Sequence, residues 1–99
     1  MRVRFHEAVV AELAWEVQYY AKISPQLGER LATVVERALA IAAEFPDMGA
    51  PHSYGTRRVF PKRFPFSVVY LHRDDEILVL AIAPDGRKPG YWLSRMIER

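Results

Sequence analysis

The sequence predicts an α+β fold in which a helical hairpin packs on a mainly antiparallel β-sheet, with the elements in the order β-α-α-β-β-β. Apolar residues recur at helical spacing through the first half of the chain. The second half contains three runs rich in β-branched and aromatic residues, separated by turn-forming residues. The chain has 99 residues, of which 51% are hydrophobic and 26% charged. That size and balance suit one domain with one core, so we assign residues 1–99 to a single domain.

A short strand is expected at residues 3–5, where two apolar side chains flank an arginine. From Glu7 onwards the apolar residues follow the period of an amphipathic helix, which we expect to end near Lys22. The apolar stripe of this helix consists of Val10, Leu13, Val17 and Tyr20.

A second helix is expected to begin directly after the first. Ser24 suits the N-cap, and Pro25 suits the first helical position, where a missing N–H has no consequence. Pro46 ends the apolar stripe that follows. Because the link is so short, the two helices should form an antiparallel hairpin. Gly28 near the junction is unfavourable for a helix and predicts close packing of the two helices.

The second half reads as a loop followed by three strands. Residues 46–55 are rich in turn formers, and strands are expected at residues 57–60, 66–72 and 77–83. The last of these is apolar on both faces, which is typical of a central strand. The polar stretch "RDDE" predicts a hairpin turn between the last two strands.

Composition excludes several classes of protein. The chain has no cysteine, which excludes disulfides and thiolate chemistry. No apolar run approaches the roughly 20 residues that a membrane helix needs. The N-terminus carries an acid at Glu7 and does not resemble a signal peptide. We therefore expect a cytoplasmic protein with no membrane contact.

Positive charge is concentrated in the second half. Residues 1–56 hold 5 Lys and Arg against 7 Asp and Glu, whereas residues 57–99 hold 9 against 5. Six cations flank the predicted strands: Arg57, Arg58, Lys62, Arg63, Arg87 and Lys88. If the strands are neighbours, these side chains should converge at one end of the sheet, where guanidinium groups suit phosphates or carboxylates. The alternative is a charged edge strand that discourages aggregation.

Aromatic residues are interleaved with these cations. Strand alternation favours a core position for Phe66 and Tyr70. Tyr91 and Trp92 lie in a loop and could cover the end of the sheet or face a ligand. We include Trp92 with the six cations in the predicted partner-binding surface.

The remaining polar residues give little sign of a catalytic or metal site. His6, His52 and His72 do not share metal-ligand spacing, so we expect no metal and no cofactor. Glu12 and Glu16 lie one helical turn apart and are expected on a solvated face of the helix rather than in a catalytic carboxylate pair.

Three stretches carry a resemblance to known proteins: "YYAKISPQLGER" at the helix junction, "RRVFPKRFPFSVVY", and "AIAPDGRKPGYW" near the C-terminus. With the residues between them, they resemble the RelE/ParE superfamily of type II toxins, the toxic halves of bacterial toxin–antitoxin modules. The resemblance implies a helical hairpin on an antiparallel sheet. It also implies growth inhibition, a role in plasmid stabilisation, and a cognate antitoxin whose acidic or amphipathic C-terminal segment covers the toxin.

Within the superfamily, the sequence resembles the ParE branch more than the RelE branch. The likeness rests on the stretches "VQYYAKISPQLGERL" and "KRFPFSVVY". This likeness implies inhibition of DNA gyrase by protein binding, without enzyme activity. The alternative is a RelE-like endonuclease that cuts mRNA on the ribosome. In that case we expect Arg63 and Arg87 to stabilise the phosphate and Tyr91 to orient or deprotonate the 2′-hydroxyl.

One position departs from the pattern of the superfamily. Relatives with this C-terminal phrase commonly carry a histidine after "AIA", where this chain has Pro84. Proline can neither transfer a proton nor donate a hydrogen bond, so the departure disfavours a nuclease. It also leaves open a degenerate, non-toxic member that retains only antitoxin binding.

Overall fold

The computed structural model describes residues 1–97; residues 98 and 99 of the predicted single domain lie outside the described part. In chain order the elements are β1 (Arg2–Phe5), α1 (Glu7–Ile23), α2 (Pro25–Glu44), β2 (Ala50–Pro51), a 3₁₀ turn (Ser53–Gly55), β3 (Arg57–Val59), β4 (Phe66–Arg73), β5 (Glu76–Pro84) and a second 3₁₀ turn (Leu93–Met96).

The strands form one sheet in the order β1-β5-β4-β3-β2. β1 pairs parallel with β5, and every other pair is antiparallel. The predicted α+β class and order of elements are therefore confirmed. The two-residue strand β2 was expected to be loop. Its Pro51 has no N–H to donate, which is compatible with a strand only at an edge of the sheet.

The helical hairpin forms where the sequence predicts it. His6 caps α1, with its Nδ1 accepting a hydrogen bond from the Ala8 backbone N–H at 3.1 Å. Ser24 occupies the N-cap position of α2, but its hydroxyl bonds the Gln26 side chain instead of the helix backbone. Gly28 is buried, and a Cβ there would lie 2.9 Å from the Cβ of Ala21. The expected close packing of the two helices is thus confirmed.

The main core lies between the helices and one face of the sheet. Phe66 and Tyr70 of β4 are buried there, as alternation predicts. The Tyr70 hydroxyl accepts from the Gly49 N–H at 3.1 Å and donates to the Pro46 carbonyl at 2.7 Å. This hydroxyl therefore fixes the loop after α2 to the centre of the sheet.

The opposite face of the sheet is covered by the C-terminal segment, which we define as residues 90–97. Trp92 is fully buried against Val69 of β4 and Ala81 of β5. The central strands are therefore buried on both faces, as the apolar run at residues 77–83 predicts. In the part of the chain that the structure describes, neither helix has the length and apolar character required to cross a bilayer.

Candidate partner-binding site

Two consecutive arginines on β3 lie on opposite faces of the sheet, because side chains alternate along a strand. The Arg57 guanidinium donates to the carbonyl oxygens of Asp47 and Gly49, at 3.0 and 2.8 Å. Arg57 therefore secures the loop after α2. Arg58 pairs in register with Val69, whose side chain packs against Trp92 on the other face.

Arg58 is half-buried and has no ion pair or side-chain hydrogen bond with any residue in the range 1–97. Its Nε is buried and finds no acceptor in the part of the chain that the structure describes. The guanidinium lies 5.0 Å from the centroid of the Phe60 ring, which favours the cation but accepts no conventional hydrogen bond. Arg58 thus offers donor capacity that this part of the protein does not use.

Arg87 approaches the same region from the turn after β5. Gly86 adopts the left-handed conformation with φ of 85°, which favours glycine, and the Arg87 N–H bonds the Pro84 carbonyl at 3.2 Å. The turn places the Arg87 guanidinium 3.5 Å from the centroid of the Tyr91 ring. No carboxylate of the described residues forms an ion pair with Arg87.

The two guanidiniums line a cavity of about 290 Å³ at the β4–β5 end of the sheet, which we call the arginine pocket. Its lining includes His52, Arg58, Ser67, Arg87, Tyr91 and Trp92. The rings of His52 and Tyr54 both pack near the Trp92 ring, with ring centroids 5.7 and 6.0 Å away. The pocket is therefore built by the loop before β3, the turn after β5 and the C-terminal segment.

Two titratable groups in the pocket remain neutral near pH 7. Burial, and then the charge of Arg58, lower the pKa of His52 from its ordinary value of 6.5. Burial, followed by the charge of Glu12, raises the pKa of the Tyr91 hydroxyl above its ordinary value of 10.0, although Arg87 and Arg95 oppose the shift. A tyrosine with a raised pKa is a poor base.

The structure gathers only part of the predicted cationic surface. Arg58 and Arg87 meet at the arginine pocket, whereas Arg57 faces the other side of the sheet. Three cations are exposed on loops and do not line the pocket: Lys62, Arg63 and Lys88. The Arg63–Arg87–Tyr91 set proposed for a nuclease is consequently not assembled around this cavity.

Trp92 differs from the prediction of a partner-contacting residue. Its exposed fraction is 0%, because the C-terminal segment folds its ring onto the sheet. Its Nε1 is buried and has no acceptor among the described residues, 1–97. Trp92 supports the floor of the pocket and does not present its ring to solvent.

An ion pair that fixes the C-terminal segment was not predicted. Arg95 forms two hydrogen bonds with the Glu12 carboxylate, at 3.1 and 2.9 Å, and donates to the Leu80 carbonyl at 2.8 Å. Glu12 also accepts from the Ile82 N–H at 3.1 Å. The expectation that Glu12 faces solvent was wrong, since this part of β5 has no neighbouring strand and the two side chains satisfy its backbone.

A second unpredicted feature is an exposed aromatic stack on α1. The rings of Trp15 and Tyr19 lie 5.4 Å apart and are nearly parallel, and Trp15 is 62% exposed. The residues follow helical i, i+4 spacing, which Ile23 continues. That spacing is a sequence signal for a second apolar stripe, on the side of α1 away from the core.

An apolar groove adjoins the arginine pocket. It has a volume of about 390 Å³ and runs between the end of α2 and β3; we call it the α2 groove. Its apolar lining includes Ala38, Ile41, Met48, Val59 and Phe60. Arg58 and Phe60 line both the groove and the pocket.

Comparison with known families decides the class of protein. A profile described as "ParE toxin of type II toxin-antitoxin system, parDE" matches residues 3–89. The chain belongs to the ParE toxin family. The suspected relationship to the RelE/ParE superfamily, and to its ParE branch, is therefore confirmed.

A solved structure shares the fold of this ParE family member. The structure described as the chromosomal ParDE toxin–antitoxin system from P. aeruginosa superposes with a TM-score of 0.73 at 20% sequence identity. The alignment covers 86% of this chain and 96% of the other. No curated protein is significantly similar to the sequence.

Proposed function

We propose that this ParE family member is a toxin that inhibits DNA gyrase by protein binding, and that a cognate antitoxin neutralises it in the cytoplasm. The observation that carries the proposal is the ParE toxin match over residues 3–89. The exposed apolar stripe on α1 and the α2 groove support a role in binding macromolecules, because apolar surface left in water favours a protein partner.

The chemistry of the arginine pocket supports binding over RNA cleavage. A general base must release its proton near neutral pH, and the raised pKa of Tyr91 opposes this. Arginine retains its proton in proteins, so Arg87 can stabilise charge but cannot act as the base. The resemblance implies a histidine where this chain has Pro84, and proline can neither transfer a proton nor donate a hydrogen bond.

Inhibition of gyrase is tested with the purified full chain in a supercoiling assay. We expect supercoiling to fall, or cleaved DNA to accumulate, as the chain is added, and the antitoxin to reverse the effect. The double variant Trp15→Ser/Tyr19→Ser removes two exposed aromatic rings from α1. If this variant folds but inhibits gyrase more weakly, the α1 stripe contacts gyrase. The absence of any effect on gyrase at saturating protein would contradict the proposal.

A ribosome-dependent endonuclease is the second candidate. It is favoured by the stacking of Arg87 on Tyr91 beside a polar cavity. Primer extension on translated mRNA tests it, with Lys88→Ala as the control for loss of one neighbouring charge. Codon-positioned cuts that persist in Lys88→Ala and disappear in Arg87→Ala would replace the gyrase proposal with this one.

A non-toxic, antitoxin-binding member is the third candidate, and Pro84 motivates it. Expression of the chain in bacteria without antitoxin separates this candidate from the other two. Growth arrest excludes it, and a DNA-damage response rather than translation arrest favours gyrase as the target.

A further inference from the structure

A further cavity, of about 330 Å³, is formed by α1, the end of β5 and the turn after it, and we call it the α1 pocket. Small-molecule sites are clefts of about 300–1,000 Å³ in which mostly apolar walls carry a few polar groups. The α1 pocket has this composition. Its apolar lining includes Ala11, Ile82 and Pro84, and its other lining residues include Trp15, Glu16 and Arg87.

The carboxylate of Glu16 has no partner in the described fold. Glu16 is half-buried and forms no ion pair or side-chain hydrogen bond with any residue in the range 1–97. Glu12, one helical turn earlier, accepts instead from Arg95 and from the Ile82 N–H. Burial raises the pKa of the Glu16 carboxyl above its ordinary value of 4.5. A carboxylate partly removed from water without donors is unfavourable, so Glu16 favours a ligand that brings N–H groups.

The indole of Trp15 offers a stacking surface in the same pocket. Its ring is nearly parallel to that of Tyr19, at 11° and with the centroids 5.4 Å apart, so the stack covers one face of the indole. Tyr19 is not among the described residues that line the pocket. Because Trp15 is 62% exposed, its other face is available to a planar ring of a ligand.

Arg87 supplies a positive charge to the pocket. Its guanidinium is stacked on the Tyr91 ring, with 3.5 Å to the ring centroid, and pairs with no carboxylate of the described residues. Glu16 and Arg87 line one cavity, yet no ion pair joins them. A ligand that satisfies both must therefore carry N–H donors at one end and an anionic group at the other.

These three groups together favour a guanine nucleotide. The Watson–Crick edge of guanine presents two adjacent N–H groups, N1–H and N2–H, which one carboxylate can accept, whereas adenine presents an N–H beside an acceptor nitrogen. The purine ring suits stacking on an indole, and the phosphate suits a guanidinium. A free arginine would also fit Glu16, but Arg87 would repel the ammonium group next to its carboxylate.

We propose that the α1 pocket binds a guanine nucleotide, with the base on the Trp15 ring, its N–H edge at Glu16 and its phosphate at Arg87. A free nucleotide and an unpaired guanine in a nucleic-acid strand both present these groups. The inference goes beyond the proposed function and does not rest on it, because the binding is measured without gyrase or antitoxin.

The test is an NMR titration of the ¹⁵N-labelled full chain with guanosine 5′-monophosphate (GMP) at constant ionic strength. We expect GMP to shift the indole N–H of Trp15 saturably and to leave the amide of Gly28 unchanged. Gly28 lies between the helices and serves as the internal control. Adenosine 5′-monophosphate (AMP) should bind about tenfold more weakly or worse, because it cannot give Glu16 two N–H groups.

A second titration identifies the source of the guanine. The probe is a short single-stranded oligothymidylate that contains one guanine. Tighter binding of this strand than of GMP assigns the pocket to nucleic acid, and weaker or equal binding assigns it to the free nucleotide.

Variants separate the base from the phosphate. Glu16→Gln should weaken the binding of both GMP and guanosine by about tenfold. Arg87→Gln should weaken the binding of GMP by about tenfold but change that of guanosine, which has no phosphate, by less than about twofold. Glu36→Gln and Arg37→Gln make the same changes at exposed sites of α2 and should leave both affinities within about twofold of the wild type.

Three results would overturn the inference. One is the lack of a saturable shift of the Trp15 indole with GMP. Another is equal affinity for GMP and AMP, since the pocket would then not read the edge of the base. The last is wild-type affinity for GMP in both Glu16→Gln and Arg87→Gln, which would place the nucleotide elsewhere on the protein.

Discussion

Arg95 shows how one side chain can fix a whole segment of this fold. Its guanidinium bonds both oxygens of Glu12 and the carbonyl of Leu80, and Glu12 in turn accepts from the Ile82 N–H. β1 pairs with β5 only as far as Val79, so these backbone groups have no strand beside them on that side. The ion pair therefore takes the place of a strand and holds the C-terminal segment over the sheet.

We predict that Arg95→Met lowers the free energy of unfolding by about 1–3 kcal/mol, because it leaves the partly buried Glu12 carboxylate and the Leu80 carbonyl without their donor. Urea denaturation measures the change. Arg73→Gln, at an exposed arginine, is the control and should change the free energy by less than about 0.5 kcal/mol. If Glu12→Gln and Arg95→Met have strictly additive effects in the double variant, the two side chains are not coupled as described.

The helical hairpin depends on close contact of α1 and α2 at Gly28. A Cβ at this position would lie 2.9 Å from the Ala21 Cβ and 3.0 Å from the Val17 carbonyl oxygen. The Val17 oxygen belongs to the backbone, so it cannot move away by a side-chain rotation. Glycine is therefore the favoured residue at this junction, because the clash that any larger side chain would make costs more than the low helix propensity of glycine.

We predict that Gly28→Ala destabilises the protein by about 1–3 kcal/mol despite the higher helix propensity of alanine, because the helices must separate to admit the methyl group. Thermal unfolding measures the effect. Ala40→Gly, at an exposed site of the same helix, is the matched control and should cost about 0.5–1 kcal/mol through propensity alone. A stabilised Gly28→Ala would show that the helices are not in tight contact here.

The pH dependence of stability involves the whole molecule, since it compares the folded chain with the unfolded one. His52 has a lowered pKa in the fold, first because it is buried and second because Arg58 lies nearby. As the pH falls, the unfolded chain binds this proton first, near the ordinary value of 6.5. The contribution of neutral His52 is thus fully present above that pH and is lost as the pH falls towards the folded pKa.

We predict that the wild type loses stability between pH 7.5 and 5.5, and that His52→Gln loses less over the same interval. Urea denaturation at the two pH values measures the difference. Arg58→Gln should reduce the loss only in part, because burial is the larger cause of the shift. An identical loss in wild type and His52→Gln would exclude His52 as the group responsible.

Much of the architecture follows from local sequence. The change of apolar period at Glu7, the Ser24–Pro25 helix start and the doubly apolar run at residues 77–83 each predicted an element that the structure contains. These signals are local, because apolar periodicity, helix capping and turn chemistry each act within a few residues. The strand β2 could not be predicted, because two residues carry no period and only the edge of β3 defines them as a strand.

The sequence indicated which residues could belong to the candidate site but not how they are arranged in space. Sequence alone determined an α+β hairpin-on-sheet fold, a basic second half and membership of a toxin superfamily. Tertiary structure decided which cations line the same cavity. Alternation on β3 directs Arg57 to the loop after α2, whereas Arg58 has no ion pair within residues 1–97 and lines the arginine pocket with Arg87. It also buried Trp92 and paired Glu12 with Arg95, residues 83 positions apart. The physical reason is that burial and charge pairing depend on distances in space. Those distances become short only when segments far apart in the sequence fold onto one sheet.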